Sequence, residues 1–299
     1  MATKTITAPV TSSNTPLARA WRRFRRSKLA LVGLIMVGVM AFLAIAAPIV
    51  TTWDPLKNDL LNRAQPPSAT HWFGTDRTGR DTFARTIYGG RISLAVGLIA
   101  VTVSVTVGTL IGLLAGYFGG LIDSLLMRIT DAFMSFPAIV IILAAAQVVY
   151  NLLPSDSLIL GIMGVIGLLT WPQLARIVRA QTLVLREADY VVAASSLGAS
   201  KARQMFVHIL PQTLGPLLVF ATFGMANAIL LEAGLSFLGQ GVQPPTPSWG
   251  NLVETARSLD ILENLPWTWF YPGIFIVITV LSINFIGDAL RDAVDPKSR

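Results

Sequence analysis

Six apolar stretches, each about the length that crosses a bilayer as a helix, leave this chain few folds to choose from. A hydrocarbon core of roughly 30 Å takes about 20 apolar residues at 1.5 Å of rise each, and within it every backbone polar group must be satisfied internally. The stretches cover 29–50, 92–121, 132–153, 158–175, about 209–238 and about 265–287. The first two carry no charge, and the fifth is interrupted by Glu232. Apolar residues make up 53% of the 299 and charged residues only 13%, against about 25% charged in an ordinary soluble domain. The expected fold class is an all-α membrane protein with six transmembrane helices, which excludes a soluble two-domain protein.

Charge sets the expected orientation. Most of the 23 Lys and Arg fall on one side of the map: the run before residue 29, Arg128, then Arg176, Arg179, Arg186, Lys201 and Arg203, and the C-terminal residues. Loops rich in Lys and Arg stay inside, so the N and C termini are both expected to be cytoplasmic. Lys57, Arg63, Arg77, Arg80, Arg85 and Arg91 stand against this in the first outer loop, partly balanced by Asp54, Asp59, Asp76 and Asp81. A long loop tolerates such charges better than a short one. The organisation is then a basic cytoplasmic tail over 1–28, a first transmembrane helix over 29–50 and an extracytoplasmic loop over 51–91. A five-helix core follows over 92–287, with a cytoplasmic loop at 186–211, and a cytoplasmic tail over 288–299. The Thr/Ser-rich first 15 residues read as disordered. Ala44-Ile45-Ala46 after a basic run also fits a secretory signal, but an apolar run from 29 to 50 is longer than the roughly 7–15 residues of such a segment.

A net charge of +7 would suit nucleic acid if the basic residues formed one stripe. They do not, so the expected surroundings are a lipid bilayer and no nucleic acid. The absence of cysteine excludes disulfides, thiolate metal sites and a Cys nucleophile. His71 and His208 have no acidic residue at metal-ligand spacing. No catalytic residue, metal or cofactor is expected of this chain.

Within the second stretch, Gly108, Gly112, Gly116 and Gly120 recur every four residues, so they share one helix face and let another backbone approach. Trp53, Trp72, Trp249, Trp267 and Trp269 fall on the predicted outer side, where indoles favour the headgroup interface. Arg186 to Pro211 is a cytoplasmic loop too apolar to be left in water. Glu187 to Leu197 reads as a short helix carrying Tyr190, Val191, Ala194 and Leu197. Gly198 ends that helix, and Ser200 caps a second through Met205, Phe206 and Val207. Two occupants suit such a pair of helices: a groove on a partner protein, or the lipid surface.

The run Val192-Ala193-Ala194, three residues, Gly198, nine residues, then His208-Ile209-Leu210-Pro211 resembles the EAA loop of ABC-importer permeases. Val192 stands where the general pattern has Glu, and His208 where it has Ile. The resemblance extends through Gly74-Thr75-Asp76, Gly79-Arg80-Asp81 and Tyr88 to Leu94, and through Asp123 to Pro137. It continues through Leu235-Ser236-Phe237-Leu238-Gly239, Gln243-Pro244-Pro245 and Pro247-Ser248-Trp249-Gly250, and ends with Gly287 to Pro296. Five such segments in order are similar to the second permease subunit of the dipeptide, oligopeptide and nickel importers. The resemblance implies the ABC-importer permease fold in the inner membrane. It implies pairing with a homologous permease to form the pore, one or two cytoplasmic ATPase subunits that use ATP and magnesium, and an extracytoplasmic substrate-binding protein. Ala193, Ala194, Gly198, His208, Leu210 and Pro211 would then dock the ATPase. No G-x-x-x-x-G-K-[ST] occurs, so phosphate must be cradled by a partner.

Other residues keep their own physical reading. Asp81 and Arg85, four apart, read as a solvated pair on a short surface helix. Asp123, Arg128 and Asp131 bracket a cytoplasmic turn as a structural network. Three prolines in Gln243 to Gly250 force irregular backbone on the outer surface, where Trp249 reads as an interface anchor. Glu232 lies inside an apolar span, where a carboxylate must face protein or water. It is both a translocation-path candidate and a candidate structural hydrogen-bonding group near the end of its helix. Alternative functions are an ion-coupled secondary transporter, which would want more intramembrane ionisable groups and inverted repeats, and an importer of the same family carrying nickel chelates. A membrane enzyme would want a nucleophile and base that the spans lack.

Overall fold

Why the apolar stretches become the helices they do is decided at their ends. The computed structural model describes residues 16–154 and 157–294; the expected disordered tail over 1–15 and the last motif residues, Asp295 and Pro296, lie outside them. Helix α1 spans Pro16–Arg26, α2 Lys28–Ile45 and α3 Ala47–Val50. The loop 51–81 leads into α4, Thr82–Phe118, followed by α5, Gly120–Met134, and α6, Ala138–Leu152. Then come α7, Leu158–Thr170, α8, Pro172–Leu185, α9, Asp189–Ser196, and α10, Lys201–Arg203. A π-helical turn, Gln204–Ile209, joins α10 to α11, Leu210–Phe237. Last are α12, Trp249–Glu254, α13, Leu259–Asn264, and α14, Trp267–Val294. No β-strand occurs among the described residues.

Four helical rods are long and apolar enough to cross a membrane: α2, α4, α10 through α11, and α14. Two further candidates are bent pairs, α5 with α6 at 89° and α7 with α8 at 43°. The third and fourth expected spans, 132–153 and 158–175, each contain one of these breaks. Proline stands at both breaks and has no N–H to continue the preceding helix: Pro137 precedes α6, and Pro172 opens α8 while Trp171 before it keeps helical angles. Gly119 and Gly120, at φ +64° and +53°, divide α4 from α5.

Helix α4 begins at Thr82, well before the expected 92, because the Asp81 carboxylate caps it by accepting the Ala84 N–H at 2.7 Å. The expected outer loop over 51–91 is therefore helical in its last part. Asp81 and Arg85 are not a solvated pair: they are 3% and 4% exposed. Asp81 bonds the His71 ring at 2.8 Å, and Arg85 lies 3.9 Å from Asp76. Helix α14 likewise runs past Gly287 to Val294, through much of the expected tail.

The bundle has two distinct ends. At one, which we call the terminal end, Phe24 of α1 packs on Ala289 and Ala293 of α14. At the other, the distal end, the loop 51–81 covers the start of α14: Trp267 Nε1 donates to the Thr75 carbonyl at 3.0 Å and Phe73 stacks on Tyr271. Helix α8 runs alongside α4 in the same direction. A Cβ at Gly108 would stand 2.9 Å from the Trp171 carbonyl oxygen, one at Gly112 2.6 Å from that of Ala175, and one at Gly116 2.8 Å from that of Arg179. The glycine face is thus where α8 lies against α4. Gly120 has open space instead.

Candidate translocation and coupling site

Where α4, the α5–α6 bend, α7–α8, α11 and the last turn of α14 surround one another they leave a cavity of about 1090 Å³. Its walls are mainly apolar, with Phe133, Phe136, Phe220 and Phe223 prominent, and Arg291 stands at its terminal side. Ser104, Gln173 and Asn227 supply neutral polar groups. The buried Ser104 hydroxyl has no hydrogen-bond partner among the described residues. Toward the distal end the same helices close on one another through Val96, Ile142, Ile162, Ile166 and Leu235. Leu231, on the turn between, borders the cavity and packs against that closure.

The terminal end carries the α9–α10 elbow. Helix α9 ends in a pair of backbone bonds that use a glycine in the left-handed region: Ala199 N–H donates to the Ala194 carbonyl at 3.0 Å and Gly198 N–H to that of Ser195 at 2.9 Å. Gly198 has φ +84°, and the space around it is open. Ser200 then caps α10 by accepting the Arg203 N–H. Val191, Met205 and Ile209 turn inward and are buried, Val191 and Ile209 packing with Leu113, Leu174 and Val178. Tyr190, Val192, Leu197, Phe206 and Val207 turn outward, Leu197 being 89% exposed.

Polar contacts fix this elbow to the bundle. Tyr117 donates to Gln204 Oε1 at 2.8 Å, Gln204 Nε2 to the Ala199 carbonyl at 2.8 Å, and Arg186 Nη1 to the Gly116 carbonyl at 3.0 Å. Beside it Arg179 forks onto Asp123 at 2.5 and 2.7 Å, and Arg176 meets Asp131 at 2.5 Å. Of the residues singled out in the sequence, Ala193, Ala194 and Gly198 stand on the elbow. His208 lies in the π turn, and Leu210 and Pro211 open α11.

Glu232 lies elsewhere, toward the distal end, and it does not border the cavity. It is 0% exposed. Oε1 accepts the hydroxyls of Ser236 at 2.8 Å and Ser248 at 2.9 Å, and Oε2 accepts that of Ser93 at 3.3 Å. The backbone around it is equally crowded: a Cβ at Gly250 would stand 2.8 Å from Ala233 Cα and from Glu232 Oε1. Trp249 is not an interface anchor. Its ring is buried against Gly90 and Phe275, and its Nε1 donates to the Thr86 carbonyl at 2.9 Å. Sequence reasoning missed Ser93, Ser248 and Asn251. A signal was present, for Ser248 followed three residues later by Asn251 is a capping box with Asn in the Glu/Gln place.

Comparison with known proteins adds the family. A model described as binding-protein-dependent transport system inner membrane component matches residues 108–299. The chain belongs to that family. A second model, the N-terminal TM domain of oligopeptide transport permease C, matches residues 15–67. A protein of Brucella suis biovar 1 whose name describes a peptide permease is 44% identical over 289 residues, 97% of this chain and 94% of that one. The dipeptide transport system permease protein DppC of Alkalihalophilus pseudofirmus is 41% identical, covering 95% of this chain and 91% of its own. The oligopeptide transport system permease protein OppC of Bacillus subtilis is 41% identical, covering 94% and 89%. This family member is a multi-pass permease of the inner membrane and not an enzyme, and it is the ABC-importer family that the motifs resemble. The ion-coupled secondary transporter is thereby set aside.

Proposed function

We propose that this permease forms half of the translocation pore of an ATP-driven importer of peptides, pairing with a homologous permease. The long helices and the two bent pairs are read as six spans, with the terminal end in the cytoplasm. A substrate-binding protein delivers cargo at the distal end. ATP and magnesium belong to one or two ATPase subunits at the terminal end, and this chain binds no cofactor. The cavity is this chain's share of the path. Its neutral polar groups suit peptide amides, its apolar walls hold side chains of varied shape, and Arg291 sets a positive charge at its terminal side.

The observation that carries the coupling half of this reading is the α9–α10 elbow, whose outward apolar side chains are set on a base locked by Gln204 and Arg186. Apolar surface held rigidly clear of the bundle is a docking knob. Peptide cargo is supported by the names of the dipeptide and oligopeptide relatives. The test is Ala194→Glu in the reconstituted complex. A carboxylate carried into a dry interface without a partner costs several kcal/mol. Co-purification of the ATPase subunits and cargo-stimulated ATP hydrolysis should both fall at least tenfold, while membrane insertion stays normal. Full ATPase recovery and full stimulation would remove the elbow from the mechanism.

A further inference from the structure

The three serines around Glu232 can be accounted for hydrogen by hydrogen. A serine hydroxyl has one hydrogen to donate and lone pairs to accept with. Ser93 Oγ accepts the Trp249 N–H at 3.0 Å, Ser236 Oγ the Val242 N–H at 3.3 Å, and Ser248 Oγ the Asn251 N–H at 3.1 Å. Each hydroxyl is left with its single hydrogen, and each directs it to a Glu232 oxygen. One carboxylate therefore gathers three backbone N–H groups of the segment 242–251, through hydroxyls on α4, on α11 and on that segment itself. No charged side chain hydrogen-bonds or ion-pairs with Glu232 among the described residues. Asn251 extends the knot by donating to the Val242 and Thr246 carbonyls at 3.0 and 2.7 Å. Tyr150 of α6 donates to the Gly241 carbonyl.

The helix that carries this knot has its other face in the closure above the cavity. Leu231 and Leu235 flank Glu232 in sequence and pack with Val96, Ile142, Ile162 and Ile166, whereas Glu232 faces Ser93 and Ser248. We propose that Glu232 is a positioning residue of transport: it clasps α4, α11 and the 242–251 segment together, and so holds the distal closure of the path shut. It acts from behind the wall and touches no cargo. The inference rests on the permease reading of the cavity, but its test needs neither cargo nor ATP turnover, so it fails or stands apart from the coupling proposal.

The chain has no cysteine, so a single reporter can be added to it without removing any thiol of its own, and labelling of the intact complex in nanodiscs is read on this chain after the subunits are separated. Val96→Cys places a near-isosteric thiol in the distal closure, and Val178→Cys places a control in the buried cluster near the elbow. Reaction with a water-soluble maleimide is the readout. Glu232→Ala strands three hydroxyls, a loss that should speed labelling at position 96 by about tenfold with position 178 unchanged. Glu232→Gln keeps an acceptor oxygen for two of the hydroxyls and should stay within about threefold of the parent. Labelling at 96 that does not rise in Glu232→Ala would overturn the proposal. So would a parallel rise at 178, which is general loosening, or an equal rise in Glu232→Gln, which would make the role one of charge. If Glu232→Ala does not assemble, Ser248→Ala removes one donor and should raise labelling at 96 about threefold; an unchanged rate there overturns the proposal equally.

Discussion

At Gly112 one added carbon would fall 2.6 Å from the Ala175 carbonyl oxygen and 2.7 Å from Val178 Cβ, so the neighbour that must yield is backbone. Overpacking of this kind costs about 1–3 kcal/mol or more when nothing flexible can move. Gly112→Leu is therefore expected to lower the thermal midpoint and the yield of the purified complex, whereas a leucine at Gly38, with nothing within 4 Å, should leave both unchanged. Equal yields for the two would argue that α4 and α8 do not need their close approach. Gly198 is the opposite case, because its surroundings are open and only its φ of +84° restricts it. An L-residue there costs roughly 1–2 kcal/mol, most for a β-branched one and least for Asn. Gly198→Val should then insert normally but lose at least tenfold of cargo-stimulated ATP hydrolysis, and Gly198→Asn should keep most of it. Two variants with the same activity would mean that the left-handed turn is not what shapes the docking knob.

The loop 51–81 shows how a charged loop holds its shape. Asp76 accepts the Thr78 N–H and hydroxyl, each at 2.8 Å, the Arg80 N–H at 3.0 Å and Arg80 Nε at 2.7 Å. Gly79 crosses so near Asp59 that a Cβ would fall 1.7 Å from its carbonyl oxygen. Burial alone would raise the Asp76 carboxyl, but the Thr78 hydroxyl and the charge and hydrogen bonds of Arg80 outweigh it and hold it below the ordinary 3.8. With the folded value depressed, the carboxylate's contribution is complete above 3.8 and is lost as pH falls through the lower folded value. Amide exchange at Thr78 and Arg80, corrected for intrinsic rate, should be flat from pH 7 to 5 and accelerate below about 4. Asp76→Asn should exchange fast throughout, and a native-like rate in that variant would show that backbone alone holds the turn. The sequence made the spans legible because 29–50 and 92–121 carry no charge to interrupt them. It made Gly198 legible because a glycine after a short apolar helix marks its end. It did not show the 89° bend before α6, because hydropathy averages across Pro137 without registering direction. Nor did it show the Glu232 clasp, because Ser93 and Ser248 lie 139 and 16 residues away from it and come together only once α4, α11 and α12 pack. Asp81 and Arg85 were misread for the same reason, since their real partners, His71 and Asp76, lie on a loop whose path no local pattern fixes.

For the whole molecule, three features bear together on which end faces the cytoplasm. The terminal end gathers α1 with Arg25 and Arg26, the Arg176 and Arg179 pairs of α8, and the elbow with Lys201 and Arg203. The excess of Lys and Arg in loops flanking the spans sets orientation, and the more basic side stays inside. The loop 51–81 carries only Lys57, Arg63, Arg77 and Arg80 against the larger set at the terminal end, and two of these are tied to the protein, Arg80 to Asp76 and Arg77 to Asp260. The proposed coupling requires the same orientation, because an elbow that docks an ATPase must lie where ATP is. A reporter fused after Arg299 should accordingly be active only in the cytoplasm, and a cysteine at Pro66 should react with an impermeant maleimide added to whole cells. The four long rods and the two bent pairs make six crossings if each pair spans once and five if one of them is re-entrant, so the two probes also test for a single re-entrant pair. If one pair were re-entrant and the other spanning, the crossings between Pro66 and the C terminus would drop from five to four, and the two probes would report the same side. Opposite sides for Pro66 and Arg299, with Arg299 inside, are the expected result; the same side for both would overturn the six-span arrangement, and with it the placement of the elbow relative to the path.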